Sequence, residues 1–430
     1  MSIGEDPIAV VGMGAITPYG AGVDVFLSSL LGGRSAVAAH LMAPFDEPRP
    51  AALLERKPVG EWLAECELLT ENRLTLVKRV LRRAPLPVML ASIAGMEAWL
   101  DAGLGLESEV ASENAVVVGG HDLGMRYEEE LREKFEKSRH HLPPSYAVHM
   151  LDTDHVGSLS AVLPIRGIGF TVGGASGSGN MALIQGGGLL TAGLARRCLV
   201  VGAMADLSSM ALQAFDTIGA LGGADYSLDP QAASRPFDHD RNGFIYAQGT
   251  GAVVLEKLSD ARNRGAPVYG LILGSGIVLD GTPLPSPSVT GEIGSMELAI
   301  ERSGLRLAQI DLVNAHGTAS RAGDEVELEA IATVFSELGQ SPLIQSTKGL
   351  LGHGLWAAGV LEVIASLGQM KAGVLHPNLN LEAPIREDLR FIGKDPLEKV
   401  VKVILSNSFG FAGINTSIVL GRWSGEGGHG

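Results

Sequence analysis

The sequence predicts a layered α/β fold built from two similar halves, and three observations lead there. Short β-branched runs alternate with longer helical patterns. Several of those runs are apolar throughout, as in central strands covered on both faces. Two helical stretches, Met181–Leu194 and Ala357–Lys371, are hydrophobic almost all round, which marks core helices rather than surface ones. Each of the two follows a polar, glycine-rich turn: GGASGSG before the first and STKGLLGHG before the second. That parallel places the meeting point of the halves near Leu255–Val268, giving units of 1–260 and 261–424 and a disordered tail over 425–430.

In chain order, the first half offers strands at Ile8–Val11, Ala115–Val118, Cys198–Val201 and Ala252–Leu255. The second offers Val268–Leu273, Leu312–Asn314, Leu343–Gln345, Val401–Leu405 and Ser417–Leu420. Helical periodicity marks Val23–Leu31, Val88–Ala102, Tyr127–Glu136, Ser208–Phe215 and Gly294–Ser303 besides the two core helices. Asp280–Thr290 carries three prolines among Thr and Ser and reads as an ordered loop or lid.

Composition bounds the function. Of 430 residues, 46% are hydrophobic and only 19% charged, so much surface must be buried. A mean hydropathy of +0.21 fits an oligomer that hides more of it. The 57 glycines lie beside apolar runs, which implies close backbone packing rather than disorder. A formal charge of −15 without a dense basic run argues against a nucleic-acid binder. Arg79, Arg82 and Arg83 are the best basic patch for an acidic partner, although a solvated helix face is the commoner role of such a run.

The two cysteines, Cys66 and Cys198, have neither metal-ligand spacing nor a disulfide framework, which suits a reducing cytoplasm. The acidic start MSIGEDPIAVVGMGAITP is wrong for a signal peptide, and no apolar run reaches the length of a membrane span. No metal site is expected.

Four segments carry possible chemistry. In TVGGASGSGNMAL, residues 171–183, Ser176 sits in a turn opening a buried helix, whose N-terminus favours developing negative charge. A serine there is more often a plain helix cap. In VNAHGTASRAGD, residues 313–324, His316 ends an apolar strand and can donate from a neutral ring, with Thr318 and Ser320 nearby. In STKGLLGHGLWAAGVLE, residues 346–362, Lys348 and His353 open an apolar helix carrying one acid, Glu362. Lys348 and Glu362 should pair, because isolated buried charges are costly. SNSFGFAGIN, residues 406–415, alternates Gly with Phe409 and Phe411 and can bring backbone N–H groups near a ligand. Gly12-x-Gly14 raises a dinucleotide site, but Thr17 replaces the third glycine and Pro18 interrupts the expected helix.

Taken together and in this order, the segments resemble the β-ketoacyl-ACP synthase family: a nucleophile turn, an HGT loop, a K-x(4)-H turn and a terminal SFGFGG-type turn. VVGMGAITPYG and RPFDHDRNGFIYAQGTGAVVLE extend the likeness over nearly the whole chain. The resemblance implies a thiolase-like fold in an α-β-α-β-α arrangement, a homodimer, and a substrate carried on the phosphopantetheine of an acyl carrier protein, with no cofactor of the enzyme's own. It implies catalytic roles for Ser176, His316, His353 and Lys348, with Glu362 supporting. It also implies Thr318 and Ser320 along the pantetheine channel, and Phe409 and Phe411 beside the acyl pocket.

One departure changes the expected chemistry. Ser176 stands where the family carries a nucleophilic cysteine. A helix N-terminus can ionise a thiol but leaves an aliphatic hydroxyl protonated, and a serine needs an adjacent base. The family's histidines address the thioester oxygen instead. Decarboxylation of a malonyl thioester needs no nucleophile, only donors aimed at the enolate oxygen.

The pattern is similar to the serine-variant ketosynthases of polyketide β-branching cassettes, which turn malonyl-ACP into acetyl-ACP for an HMG-CoA-synthase-like partner. A chain-length-factor-like silent subunit is one rival, and it should tolerate loss of the histidines. A serine acyltransferase or condensing enzyme is another, and it would need a base within about 2.6–3.2 Å of Ser176 Oγ. Ala319, Arg321 and Gln248 also depart from the family pattern, the last where an acid is usual.

Overall fold

A computed structural model describes residues 6–65, 71–106 and 111–425. Cys66 and the 426–430 part of the expected tail lie outside the described residues. The first half contributes β1 (Ile8–Thr17), β2 (Asn114–Gly119), β3 (Gly169–Val172), β4 (Arg197–Gly202) and β5 (Thr250–Lys257). The second contributes β6 (Gly270–Leu279), β7 (Leu312–Asn314), β8 (Leu343–Gln345), β9 (Val403–Gly410) and β10 (Ile414–Gly421). Five helices cover them: α1 (Leu86–Asp101), α2 (Ser178–Thr191), α3 (Val289–Ser303), α4 (Arg321–Val334) and α5 (Ala358–Ala372).

The halves repeat one topology. Their spatial orders are β3-β2-β4-β5-β1 and β8-β7-β9-β10-β6, in each case third, second, fourth, fifth, first. The pairing senses match as well: the third, second and fourth strands run parallel, and the fifth is antiparallel to both its neighbours. The two first strands, β1 and β6, join the halves through three residue pairs from Ile8↔Ile272 to Val10↔Gly270. The sheet is therefore hydrogen-bonded from one half into the other, and its two halves make the two sheet layers on either side of the core helices.

Alternation along the strands makes the layers. Val10, Val117, Val200 and Val253 face inward with Ile404, Ile418 and Leu420 of the second half, and α2 and α5 fill the space between them. Val11, Val118, Val201 and Val254 face the other way, under α1. Val313, Ile344, Leu405 and Val419 face α3 and α4. The result is helix, sheet, paired core helices, sheet, helix.

Glycines set the spacing at three places. A Cβ on Gly12 or Gly14 would stand 2.1 Å from a carbonyl of α1, Ala98 O or Ala94 O. A Cβ on Gly274 would meet Ala299 O of α3 at 2.3 Å, and one on Gly276 would meet Ser295 O at 2.1 Å. The G-x-G pairs are thus paired seats for a helix against a strand. This also removes the dinucleotide option, since Gly12 and Gly14 lie inside β1 and not at a helix N-terminus. Between the core helices, a Cβ on Gly179 would lie 2.9 Å from Val360 N, and one on Gly359 2.8 Å from Asn180 N.

The expected strands are all present, but several are longer than expected. β1 runs on to Thr17 and β6 to Leu279, because their glycines continue the strand instead of ending it. The core helices begin at Ser178 and at Ala358.

Candidate active site

Two matching turns deliver the central residues. A 3-10 turn, Ala175–Gly177, leads into α2, and another, Leu355–Ala357, leads into α5. Each begins on a non-glycine residue with positive φ, 46° at Ala175 and 50° at Leu355. Such strain persists only where the surroundings dictate it, and here the two turns pack on each other at the bottom of a cavity of about 1140 Å3.

Ser176 is not the helix cap. The cap position is Gly177, with no side-chain cap bond, and Ser178 Oγ instead ties the turn, accepting from Gly174 N–H at 2.9 Å and donating to Ala175 O at 2.7 Å. Ser176 Oγ is left to the cavity, 3.0 Å from His353 Nε2. The expectation placed the histidines toward the thioester oxygen rather than as a base, and the contact of His353 with Ser176 bears on that point. Its physical sense follows from the other ring nitrogen. Leu355 N–H donates to His353 Nδ1 at 3.3 Å, which leaves the ring proton on Nε2. His353 therefore donates toward Ser176 Oγ and has no lone pair there to accept its proton.

His316 stands beside it, ring centroids 5.4 Å apart and edge to face. Its Nδ1 is buried without a partner among the described residues, so Nε2 is the nitrogen left for a ligand. Burial, then the Lys348 charge, then His353 hold the His316 ring well below the usual histidine value. Burial and Lys348 do the same for His353. Both rings are held toward the neutral form, and the His353 ring donates from Nε2.

The scaffold behind them is ionic. Lys348 Nζ donates to His316 O at 2.6 Å and to Glu362, and both members of that ion pair are at most 3% exposed. Burial pushes the Glu362 carboxyl up to about 7, against the pull of Lys348. The expected Lys348–Glu362 pair is in place.

Two acids that the sequence reading passed over hold the His316 loop. Glu327 accepts His316 N–H and Gly317 N–H, each at 2.7 Å, and Asp324 accepts Thr318 N–H and Ala319 N–H, each at 3.1 Å. The signal was present in α4. Asp324, Glu327, Leu328 and Ile331 form one buried stripe at helical spacing, and acids on such a stripe need polar partners.

The remaining expected residues fall around the same cavity. Thr318 and Ser320 line it, joined by a 3.1 Å hydroxyl contact. Phe409 packs 5.8 Å from His316, and Phe411 is 40% exposed at the cavity wall, 6.3 Å from Phe215. A Cβ on Gly410 would lie 2.4 Å from Gly174 O, so the end of β9 closes directly on the Ser176 turn. Asp280, Pro285, Ser286 and Pro287 also line the cavity, which gives the proline-rich loop its place.

Other residues stand apart. Arg79, Arg82 and Arg83 are exposed at the end of helix Glu71–Leu81 and just beyond it, and none of them lines the cavity, whereas exposed Arg321 does. Gln248 donates to Asp206 at 3.0 Å and accepts Leu54 N–H at 3.0 Å, away from the cavity lining. An acid there would face the Asp206 carboxylate. Ala319, at φ 67°, takes a left-handed turn inside the Asp324 clasp. Cys198 lies wholly buried in β4, where burial pushes its thiol up to about 12, so it offers no substitute nucleophile.

The chain matches the family model of the β-ketoacyl synthase N-terminal domain over residues 5–261 and that of the C-terminal domain over 269–382. It is 36% identical to the polyketide biosynthesis malonyl-ACP decarboxylase PksF of Bacillus subtilis, over 96% of each chain. It is 31% identical to 3-oxoacyl-[acyl-carrier-protein] synthase 2 of Rhizobium meliloti, over 97% of this chain and 99% of that one. Among solved structures, the ishigamide ketosynthase/chain length factor superposes with a TM-score of 0.84 at 25% identity, covering 97% of this chain and all of that one. A β-ketoacyl synthase from Burkholderia phymatum gives 0.83 at 27%, with the same coverage. The chain belongs to the β-ketoacyl synthase family, with the thiolase-like fold of that family.

Proposed function

We propose that this protein is a malonyl-ACP decarboxylase that produces acetyl-ACP, with His316 and His353 as the catalytic donors. The observation that carries the reading is the His353 tautomer. With Nδ1 occupied by Leu355 N–H, both the serine hydroxyl and the imidazole Nε2 keep their protons, which suits enolate stabilisation and does not suit acyl transfer to Ser176. A malonyl thioester bound here loses its carboxylate as carbon dioxide. The bonding pair passes into the enolate, whose oxygen takes up the two Nε2–H donors, and a proton from water then gives the acetyl thioester. Lys348 and Glu362 hold the His316 carbonyl, and Thr318 and Ser320 line the channel for the pantetheine arm. The resemblance to PksF, named for this activity, supports the reading.

The wider setting belongs to the same proposal. The protein is cytoplasmic, needs no metal or cofactor of its own, and supplies a polyketide β-branching cassette containing an HMG-CoA-synthase-like enzyme. It works as a homodimer, with β3 as the pairing edge. Among the described residues, no helix is long and apolar enough to cross a membrane. Against a silent chain-length-factor-like role stand the two histidines, which such a subunit should tolerate losing and which are both present and held here.

The 3.0 Å contact to Ser176 favours one second reading, a serine acyltransferase. Incubation with malonyl-ACP alone, followed by intact mass, separates the two. Acetyl-ACP with unmodified protein supports the decarboxylase, and a stable acyl adduct on Ser176 supports the transferase. Unchanged malonyl-ACP sinks the proposal. We expect Ser176→Ala to keep most of the activity, and His316→Ala or His353→Ala each to cost at least about a hundredfold.

A further inference from the structure

The duplicated turns place two different side chains at equivalent positions. The first half puts Ser176 in the middle of its turn, and the second half puts Trp356 there. Both residues line the same cavity, and because their turns pack on each other Trp356 forms part of the wall next to the Ser176 turn. It is only 5% exposed.

His121 completes that wall. Its ring centroid lies 4.9 Å from Trp356 at 57°, and its side chain lies against the backbone at Gly173, where an added Cβ would come within 3.3 Å. Gly173 is three residues before Ser176, so the two rings stand immediately beside the Ser176 turn. The strained Leu355 backbone and the packing of Trp356 O over Gly179 of α2, 3.1 Å from a Cβ built there, hold the main chain, and near-complete burial against the His121 ring restrains the indole. A large ring held by its own backbone does not swing aside for a ligand.

We propose that Trp356, backed by His121, closes the acyl side of the cavity next to Ser176 and sets the specificity of the site for the shortest unbranched acyl units. This rests on the reading that an acyl thioester binds beside Ser176, and it adds a size limit that the reading does not require. An open apolar pocket gains affinity with each added methylene of the acyl chain. A closed one loses affinity, because a longer chain must displace a fixed ring.

The test uses unreactive ligands, so that it stands apart from decarboxylation. Acetyl-, butyryl- and hexanoyl-pantetheine amides are titrated calorimetrically into the full chain and into Trp356→Ala, with Trp356→Leu as a second variant should the alanine protein fold poorly. We expect the wild type to bind the acetyl amide best and to lose at least about tenfold by hexanoyl. We expect the variants to reverse the order and gain at least about tenfold on hexanoyl, with acetyl changed by less than about threefold. A wild type that tightens along the series overturns the inference. So does a length dependence shared by wild type and variants, or no binding of any amide. The malonyl-ACP assay reads the decarboxylase proposal separately, since a loss of turnover leaves the binding series intact.

Discussion

Lys348 and Glu362 show how one buried pair can organise a site without lining its cavity. The ammonium holds the His316 carbonyl and Glu362 together, and almost none of either side chain meets water. Removing one partner leaves the other charge unpaired in an apolar setting, which typically costs about 3–5 kcal/mol. We expect Lys348→Met to lower unfolding stability by about that much in urea titrations, and Lys348→Met with Glu362→Leu to recover part of the loss. A single variant as stable as the wild type would contradict the ionic account of this turn.

The two histidines carry an expectation of their own at this scale. Both are held well below the ordinary histidine value, mainly by burial. Between that depressed value and about 6.5 the unfolded chain binds protons that the folded rings refuse. Their linked stability is therefore present above about pH 6.5 and lost as pH falls below it. With ring-labelled histidine, the NMR signals of His316 and His353 should not move between pH 8 and 6. Titration of either buried ring near 6.5 would remove the basis for treating them as neutral donors.

Single elements explain which features could be read in advance. Apolar strands such as Leu312–Asn314 and Leu343–Gln345 have the bounds expected of them, because nothing in them resembles a turn. β1 and β6 were foreshortened because glycine normally punctuates a strand, and the reason for Gly12, Gly14, Gly274 and Gly276 lies on a helix far away in sequence. The candidate site residues Ser176, His316, Lys348 and His353 were legible as motifs. Their supports, Asp324 and Glu327, share a helical stripe with Leu328 and Ile331 but were passed over, because acids in an acidic helix are more often a solvated face. Trp356 escaped for a similar reason, since a tryptophan in an apolar run reads as core. Gly276→Ala should cost about 1–3 kcal/mol or more by overpacking, because its Cβ would meet Ser295 O at 2.1 Å. Gly157→Ala, inside helix Thr153–Val162 with nothing within 4 Å, should be neutral or slightly stabilising. Equal effects of the two substitutions would refute the close-approach account.

At the scale of the whole molecule, the repeated sheet ends differently on its two sides. In the second half, Arg390–Phe391 pairs with β8 and extends that side. In the first half, β3 is the last strand of the sheet, and Gly169–Val172 has no Lys, Pro or other charge to blunt its edge. An unprotected edge strand invites a second copy of itself, and exposed Ile168 at its start adds apolar surface. Because β3 leads within four residues to Ser176, pairing along it would stiffen the backbone that enters the catalytic turn. Each copy carries a formal charge of −15, so association must overcome repulsion that salt screens. We therefore expect sedimentation to show a dimer that tightens as ionic strength rises from about 0.01 to 0.15 M, where the Debye length falls from about 30 to 8 Å. Thr171→Pro, which removes a backbone donor from the edge, should yield monomer and lower acetyl-ACP formation with it. A Thr171→Pro protein that stays dimeric would place the contact elsewhere, and a fully active monomer would uncouple the edge from the site.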